Sequence, residues 1–362
     1  MSPALLVLGL FGLFPIGYAL FVSLHRWRIK REAFVGWRHY ERALGEPQWI
    51  LCALAGLAIL WCALSLWSRD PGRRPIPPAA RGLALAAGGL SLLVGLLGLG
   101  ANGDVRLINA VKVTAFYALG TIPFEVAGAM LLAYMLFRIL TARGFLRVLF
   151  FLPYITPMIA TAVVFRTIFS PNPGSLANRI WLGLGGSDQG WLYESRSLAA
   201  LLLEAMGAPS CPAWLDAAFP SLALVCVCVY NVWVYIGYDT VILLAGLSAI
   251  PRHYFEAAEI DGASSWQTFR HVTLPLLSPA LFFVSLIAVI GTFKAFNHIY
   301  IMRTAGAQDT VDVVSILIFD QIYQFHNAGY ASTLALVLFV VILALTLFQN
   351  RLLGRRVFYG ET

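Results

Sequence analysis

Residues 250–279 have the sequence IPRHYFEAAEIDGASSWQTFRHVTLPLLSP, the longest run of mixed polar and apolar residues in the C-terminal half of the chain. Apolar segments too long for a soluble core flank this run at 219–247 and 277–300. Pro251 suits the first turn of a helix, where its missing N–H loses no hydrogen bond, and Gly262 suits the left-handed backbone at a helix end. The run therefore predicts two short helices, at 254–260 and 264–272, that form a docking knob between membrane spans rather than an active site.

The composition places the rest of the chain in a membrane. Of the 362 residues, 59% are hydrophobic and 12% are charged, with a mean hydropathy of +0.77, whereas a soluble domain has about 25% charged residues. The hydropathy pattern predicts eight membrane helices, at 3–24, 49–67, 82–100, 108–136, 147–169, 219–247, 277–300 and 329–350. We expect an all-α integral membrane protein with about eight transmembrane helices.

The docking knob resembles a known motif. Six of its positions have a fixed spacing, namely Glu256, Ala257, Ala258, Gly262, Leu274 and Pro275, and Asp261, Ala263 and Phe269 add to the pattern. This pattern resembles the EAA loop of ABC importer permeases, in the version found in sugar importers. Stretches at 34–40, 149–157, 169–171, 293–296 and 329–332 also resemble sugar permeases. With the segment 49–100 set aside, the resemblance covers residues 7–353 and is strongest to the larger membrane subunit of maltose-type importers.

The resemblance implies a function and a set of partners. In that family the EAA loop is the coupling helix, which lies in a cleft of the ATPase subunit. The residues that it implies for coupling are Tyr254, Glu256, Ala257, Ala258, Asp261, Gly262 and Pro275. The chain is then a permease subunit, in a bacterial inner membrane, that imports a sugar by alternating access. Its expected partners are a second homologous permease, a cytoplasmic ATPase dimer and an extracytoplasmic solute-binding protein.

The energy source is expected to be another polypeptide. The chain has no G-x-x-x-x-G-K-[ST] motif, because none of its three lysines follows a glycine. No cofactor is therefore expected, and ATP would be used by the partner subunit. The five cysteines and six histidines have no metal-ligand spacing, so no metal site is expected. The net charge of +7 has no dense basic stripe with aromatic residues, so we expect no nucleic-acid partner.

The positive-inside rule agrees with a cytoplasmic knob, with one exception. Counting spans outward from 250–279 places the arginines of 68–81, of 137–146 and of the C-terminal tail inside. The loop 25–48 falls outside, although it has six arginines and lysines against three glutamates. Either the downstream loops determine the orientation, or one segment of 49–100 does not span. We divide the chain into a first helix with its external loop (1–48), an inserted hairpin (49–107) and a core permease domain (108–362).

Polar side chains inside the spans are the candidates for substrate binding, because buried polar groups in a membrane are costly. Asn231, Tyr235 and Tyr238 follow one helical stripe, and Lys294 and Asn297 have i, i+3 spacing. Amide and hydroxyl groups can bind sugar hydroxyls, and aromatic faces can cover the C–H faces of a sugar ring. The resemblance implies that Asn231 and Tyr238 line the sugar site and that Lys294 replaces an amide. The alternative is that these groups only join neighbouring helices.

Other interpretations stay open. Glu125 and Arg166 are expected to be structural, with Glu125 bracing Lys294 or Arg166. Lys294 would suit an anionic cargo such as a glycerol phosphate. A proton-driven secondary transporter, with Glu125 and Asp239 as carriers, would not need the docking knob. A membrane-embedded enzyme is disfavoured because no catalytic constellation is present. The external stretch 171–218 either meets a binding protein or provides interfacial aromatic residues.

Overall fold

The computed structural model describes residues 2–46, 48–49, 51–52, 55–56, 59, 78–138, 143–207 and 210–354. Most of the predicted span 49–67, the arginines at 69, 73 and 74, and those at 355 and 356 lie outside the described residues. Described residues form an almost entirely helical chain, which confirms the all-α class. A short antiparallel hairpin of β1 (His25–Trp27) and β2 (Arg31–Phe34) is an exception that hydropathy does not predict.

The helices follow the predicted spans closely at five places, including 82–100, and differ at two. The long apolar helices are α1 (Ala4–Ser23), α4 (Val105–Arg138), α10 (Leu222–Ser248) and α17 (Ala328–Leu353). The remaining helices are α2 (Arg38–Leu44), α3 (Pro78–Asn102), α5 (Arg143–Ile155), α6 (Met158–Ile168), α7 (Leu176–Gly183), α8 (Leu198–Ala205), α9 (Ala213–Ala218), α11 (Arg252–Ile260), α12 (Ser265–Leu276), α13 (Ser278–Phe293), α14 (Asn297–Met302), α15 (Gln308–Val311) and α16 (Val314–Tyr323).

One predicted span is bent, and another begins at a bend. Helices α5 and α6 meet at 91° within the predicted span 147–169, and α12 of the knob and α13 meet at 67° where the predicted span 277–300 begins. Pro157 is the N-cap residue of α6, and a proline cannot donate the backbone hydrogen bond that would continue α5. The described helices thus give four candidate spans, or six if each bent pair crosses once. The count of eight stays a prediction.

The chain divides into two compact units. The first comprises residues 1–111 and 317–337. In this unit Tyr330 is fully buried, and its hydroxyl donates to Asp104 Oδ2 at 2.6 Å. The backbone N–H of Asp104 donates to the carbonyl oxygen of Ala43 at 3.3 Å. The two ends of the segment 46–102 therefore lie close together.

The second unit comprises residues 112–316 and 338–362 and contains both candidate functional regions. Its core lies around α10, where a side chain at Gly237 would collide with the backbone of Phe150 on α5. This close approach joins α10 to the stretch 149–153 that resembles sugar permeases. The rest of the core has two apolar clusters, one around Tyr117 and Tyr230 and one around Leu243 and Leu277.

Candidate functional site

The predicted docking knob has two short helices at nearly the expected bounds. Helix α11 begins after Pro251 and ends at Ile260, and Gly262 has φ +71°, as predicted for the left-handed turn between the helices. Helix α12 starts with a capping box, in which Gln267 N–H donates to Ser264 Oγ and Ser264 N–H donates to Gln267 Oε1. The second helix runs to Leu276, past the predicted end at 272, and Pro275 lies within its last turn.

Two phenylalanines anchor the knob to the end of α4. Phe255 lies 5.9 Å from Phe137 between ring centroids, and Phe269 lies 5.0 Å from Tyr134 in an edge-to-face arrangement. Ala258 is buried on the same side of the knob. Because these contacts come from both short helices, the knob is fixed to the membrane helices as one body. A force on the knob would therefore reach α4 through side-chain packing.

The opposite face of the knob is open. Of the predicted coupling residues, Tyr254, Glu256, Ala257, Asp261 and Gly262 are exposed, and Pro275 is half-buried. Two apolar side chains that the sequence reasoning missed are also exposed on the knob, Ile260 by 86% and Trp266 by 66%, and Trp266 stacks on the ring of Phe269. Large apolar residues exposed together mark a protein-contact surface. The sequence could have identified both residues, because an apolar residue inside a polar cytoplasmic loop has no membrane to face.

A cavity of about 350 Å³ lies between α10, α13 and α14. Three of the five predicted substrate residues line it, namely Tyr235, Lys294 and Asn297. Lys294 and Asn297 do not share a helical face as expected, because α13 ends at Phe293 and α14 begins only at Asn297. The break instead turns the segment 294–298 into part of the cavity wall. Sequence reasoning missed Met158, Phe296 and His298 in this wall.

Asn231 is placed in a buried network behind the cavity. It is only 3% exposed; its Oδ1 accepts from the Tyr117 hydroxyl at 2.8 Å, and its Nδ2 donates to Glu125 Oε2 at 3.1 Å. Tyr117 Oη also lies 2.7 Å from His298 Nε2. Because the phenol donates its single proton to Asn231, His298 Nε2–H is the donor to Tyr117. This chain of hydrogen bonds joins α4 and α10 to the cavity wall at His298.

Glu125 pairs with neither of its expected cations. Its carboxyl group lies within hydrogen-bonding reach of the carboxyl group of Asp239. Arg166 instead donates to the carbonyl oxygen of Ile301 at 3.2 Å. Asp239 is 1% exposed, and its Oδ2 has no hydrogen-bond partner among the described residues. Two carboxyl groups this close in a buried site form a costly arrangement, because two adjacent buried negative charges would repel each other.

Tyr238 lies beside the cavity rather than in its wall. Its ring stacks on Tyr154, with 4.4 Å between centroids and 21° between planes. Tyr154 also meets Tyr235 edge to face at 5.8 Å. These three rings form an aromatic cluster at the bend between α5 and α6. A substrate-binding role for the five predicted residues stays a prediction, and the geometry makes Tyr235, Lys294 and Asn297 the ones with direct access to the cavity.

Comparison with known proteins gives one family. The model of the family described as "Binding-protein-dependent transport system inner membrane component" matches residues 125–359. The arabinooligosaccharides transport system permease protein AraP of Bacillus subtilis is 28% identical over 270 residues, 74% of this chain and 78% of AraP. The trehalose transport system permease protein SugA of Mycobacterium tuberculosis is 25% identical, over 100% of this chain and 89% of SugA.

Solved structures give the same fold. A chain of the bacterial alginate ABC transporter, crystallised in complex with an alginate pentasaccharide-bound periplasmic protein, superposes with a TM-score of 0.59. The superposition covers 90% of this chain and 99% of that chain, at 21% sequence identity. At this identity the likeness concerns the fold.

Proposed function

The chain belongs to the family of inner-membrane components of binding-protein-dependent transport systems, and from that premise we propose that it is the permease subunit of an ABC importer through which a sugar crosses the membrane. The observation that carries the sugar assignment is the cavity lined by Tyr235, Asn297 and His298. It offers an aromatic face, an amide and an imidazole, which are the groups that a polyhydroxylated ring binds. The two relatives named above are permeases for oligosaccharide or disaccharide transport.

The proposed mechanism is alternating access driven from the knob. A second homologous permease would complete the pathway, and a cytoplasmic ATPase dimer would hold the exposed face of α11 and α12. Closure of the ATPase dimer on ATP displaces both knobs and opens the cavity outward, where an extracytoplasmic binding protein delivers the sugar. Hydrolysis on the ATPase subunits returns the cavity inward. The knob thus biases a membrane domain with two states, which is what coupling between distant sites requires.

A second candidate keeps the importer and changes the cargo. Lys294 is an exposed cation on the cavity wall, in no salt bridge among the described residues, and it would bind the carboxylate or phosphate of an anionic solute. The proton-driven alternative gains a structural observation in the contact between Glu125 and Asp239. A proton-driven transporter would not need the exposed apolar residues of the knob, so we do not propose this alternative.

The test is uptake by the reconstituted importer. Proteoliposomes holding this chain, its partner permease and the ATPase dimer are supplied with binding protein, and ATP-dependent accumulation of labelled neutral and acidic sugars is measured. We expect Asn297→Ala to reduce uptake several-fold, since one lost hydrogen bond is worth about 0.5–1.5 kcal/mol. Lys294→Gln should leave uptake of a neutral sugar intact and abolish that of an anionic one.

The matched control is Lys112→Gln, which removes the same charge from an exposed lysine beside Phe116, away from the cavity wall. It should leave both cargoes unaffected. Uptake that continues without ATP but collapses with the proton gradient would overturn the proposed function.

A further inference from the structure

The external loop that departs from the positive-inside rule has an unusual surface. Between residues 25 and 48 its cations are Arg26, Arg28, Lys30, Arg31, Arg38 and Arg42, and its acids are Glu32, Glu41 and Glu46. All six cations are exposed. Basic residues outside oppose the normal orientation signal, so their presence requires another physical reason.

The hairpin β1–β2 presents part of this charge. The whole of β2 is exposed, and Ile29 in the turn is 83% exposed. The salt bridge from Arg26 to Glu32 is long, at 3.9 Å, and open to solvent on both sides, so it neutralises little. Burial lowers the pKa of His39 below its ordinary value of 6.5, and this imidazole therefore adds no charge at neutral pH. The hairpin remains strongly positive.

A built cavity adjoins the hairpin. It has a volume of about 350 Å³ and is lined by Arg42, Asp104, Arg106, Gln321, Phe325 and Asn327. The guanidinium of Arg42 lies 4.4 Å above the ring of Tyr330, and that of Arg106 lies 5.3 Å from the ring of Phe325. Gly329, next to Tyr330, lies against the backbone of His25 and Trp27. The cavity and the base of the hairpin are therefore neighbours.

The cavity keeps a net positive charge, because two guanidinium groups, of Arg42 and Arg106, face one carboxylate, of Asp104. Among the described residues, neither Arg42 nor Arg106 forms a salt bridge. The one carboxylate in the wall, Asp104, already accepts from the Tyr330 hydroxyl at 2.6 Å and from the backbone N–H of Arg106 at 2.9 Å. Each guanidinium rests on an aromatic face, an arrangement that fixes its position and leaves its N–H groups free. The paired N–H donors of two guanidinium groups held in this way match the geometry of a carboxylate.

We propose that this basic surface, formed by the hairpin turn, Arg42 and Arg106, is the docking site for an acidic face of the extracytoplasmic binding protein. A carboxylate side chain of that protein would enter the cavity between Arg42 and Arg106, and the hairpin would steer the approach. The proposal rests on the proposed function, because the knob assignment determines which side is external. A protein face is favoured over an anionic lipid because Gln321 and Asn327 add amide groups to the cavity, which suits a side chain held in a defined orientation.

The test uses the assembled importer in phosphatidylcholine nanodiscs and the purified, sugar-loaded binding protein of the same system. The measured quantity is the binding-protein concentration that gives half-maximal stimulation of ATP hydrolysis. For the double variant Arg42→Glu with Arg106→Glu we expect a rise of about tenfold or more, because electrostatic steering changes association rates by about 10–1,000-fold. The maximal rate at saturating binding protein should be unchanged.

Two controls vary the salt concentration and the position at which charge is reversed. Wild-type docking should weaken between about 0.05 and 0.5 M NaCl, as the screening length falls below 10 Å, and the double variant should lose most of that dependence. Arg179→Glu reverses an exposed arginine on α7 that does not line the cavity, and it should change the half-maximal concentration less than about twofold. Because Arg42 contacts Tyr330, Arg28→Glu with Lys30→Glu in the exposed turn provides a second variant, for which a rise of about threefold is expected.

Three outcomes would overturn the docking proposal. The first is that both double variants keep the half-maximal binding-protein concentration and the salt dependence of the wild type, while the wild type transports sugar. Another is an effect no larger than that of Arg179→Glu. The third is a change seen only in nanodiscs that contain phosphatidylglycerol, with or without binding protein, which would assign the surface to anionic lipid. Failure of the proposed function is distinguishable, since the wild type would then show no sugar uptake at all.

Discussion

Tyr117→Phe removes one oxygen atom from the centre of the buried network. The phenol is fully buried and joins two partners, Asn231 Oδ1 at 2.8 Å and His298 Nε2 at 2.7 Å. The ring stays in place in the variant, so packing around it is unchanged and no cavity larger than one oxygen forms. The experiment therefore isolates the hydrogen bonds that connect α4 and α10 to the cavity wall.

The expected loss in the free energy of unfolding follows from the buried polar atoms that lose the Tyr117 hydroxyl as a partner. Two buried polar atoms lose their partner, and each would cost about 1–3 kcal/mol in a soluble protein. Hydrogen bonds between membrane helices are worth less, about 0.6 kcal/mol on average and at most about 1.7, because polar groups in the unfolded reference state find other partners. Asn231 also keeps its bond to Glu125. We expect a loss of about 1–2 kcal/mol in the free energy of unfolding.

Tyr230→Phe is the matched control. The Tyr230 hydroxyl contacts Thr161 Oγ1 at 2.8 Å and donates to the carbonyl oxygen of Met158 at 3.0 Å. Thr161 Oγ1 donates to the same carbonyl at 3.1 Å, so in the variant Thr161 keeps an acceptor and the carbonyl keeps a donor. Thermal unfolding of the purified complex should show a clearly larger loss for Tyr117→Phe than for Tyr230→Phe. Sugar uptake should fall in Tyr117→Phe, because His298 loses its fixed orientation at the cavity. Equal losses in the two variants, or none in Tyr117→Phe, would show that the network does not hold the wall.

Three further predictions follow from other parts of the chain. Gly262→Val places a β-branched residue at φ +71°, at a cost of about 1–2 kcal/mol. Membrane insertion of the variant should be normal, but transport-coupled ATP hydrolysis should be lost. Full sugar uptake by the variant would contradict the knob assignment. Gly329→Ala should lower thermal stability because the new Cβ meets the His25 carbonyl, whereas Gly17→Ala has open space around it and should be neutral. Hydrogen bonds from Arg196 lower the pKa of Glu194 below its ordinary 4.5, so the stabilisation that Glu194 provides is present above about pH 4.5 and is lost as the pH falls through the lowered pKa. Glu194→Gln should destabilise the complex by less than about 1 kcal/mol at pH 7, since the pair is partly exposed. A loss of equal size at pH 3 and pH 7 would contradict this assignment.

The knob could be predicted from sequence because its signals are local. A proline before a helix and a glycine after it act within a few residues, and the structure has them at Pro251 and Gly262. The long apolar helices were predictable for a similar reason, since one continuous run of apolar residues is enough to define a span.

The bends and the partners could not be predicted in the same way. Hydropathy averages over a window of about 19 residues, so it does not register the break between α5 and α6 or the end of α13 at Phe293. The partner of Asn231 is 106 residues away at Glu125, and that of Tyr117 is 181 residues away at His298. A stripe on one helix identifies which side chains point the same way but does not say whether they face a cavity or another helix.

The two candidate functional regions, the knob and the cavity, are connected by a single helix, α10. Tyr235 lies at the cavity, and α10 ends at Ser248, immediately before the knob. Thirteen residues of helix separate these points, a rise of about 20 Å. Along this length Gly237 and Gly246 leave no room for a side chain beside the backbone of Phe150 and the side chains of Leu277 and Ala280. The helix therefore touches α5 on one side and α13 on the other at close range. A displacement of the knob that shifts α10 is passed through these contacts to α5 and to α13, and α13 lines the cavity. Close packing of this kind has discrete arrangements rather than continuous ones, which is the property that alternating access needs.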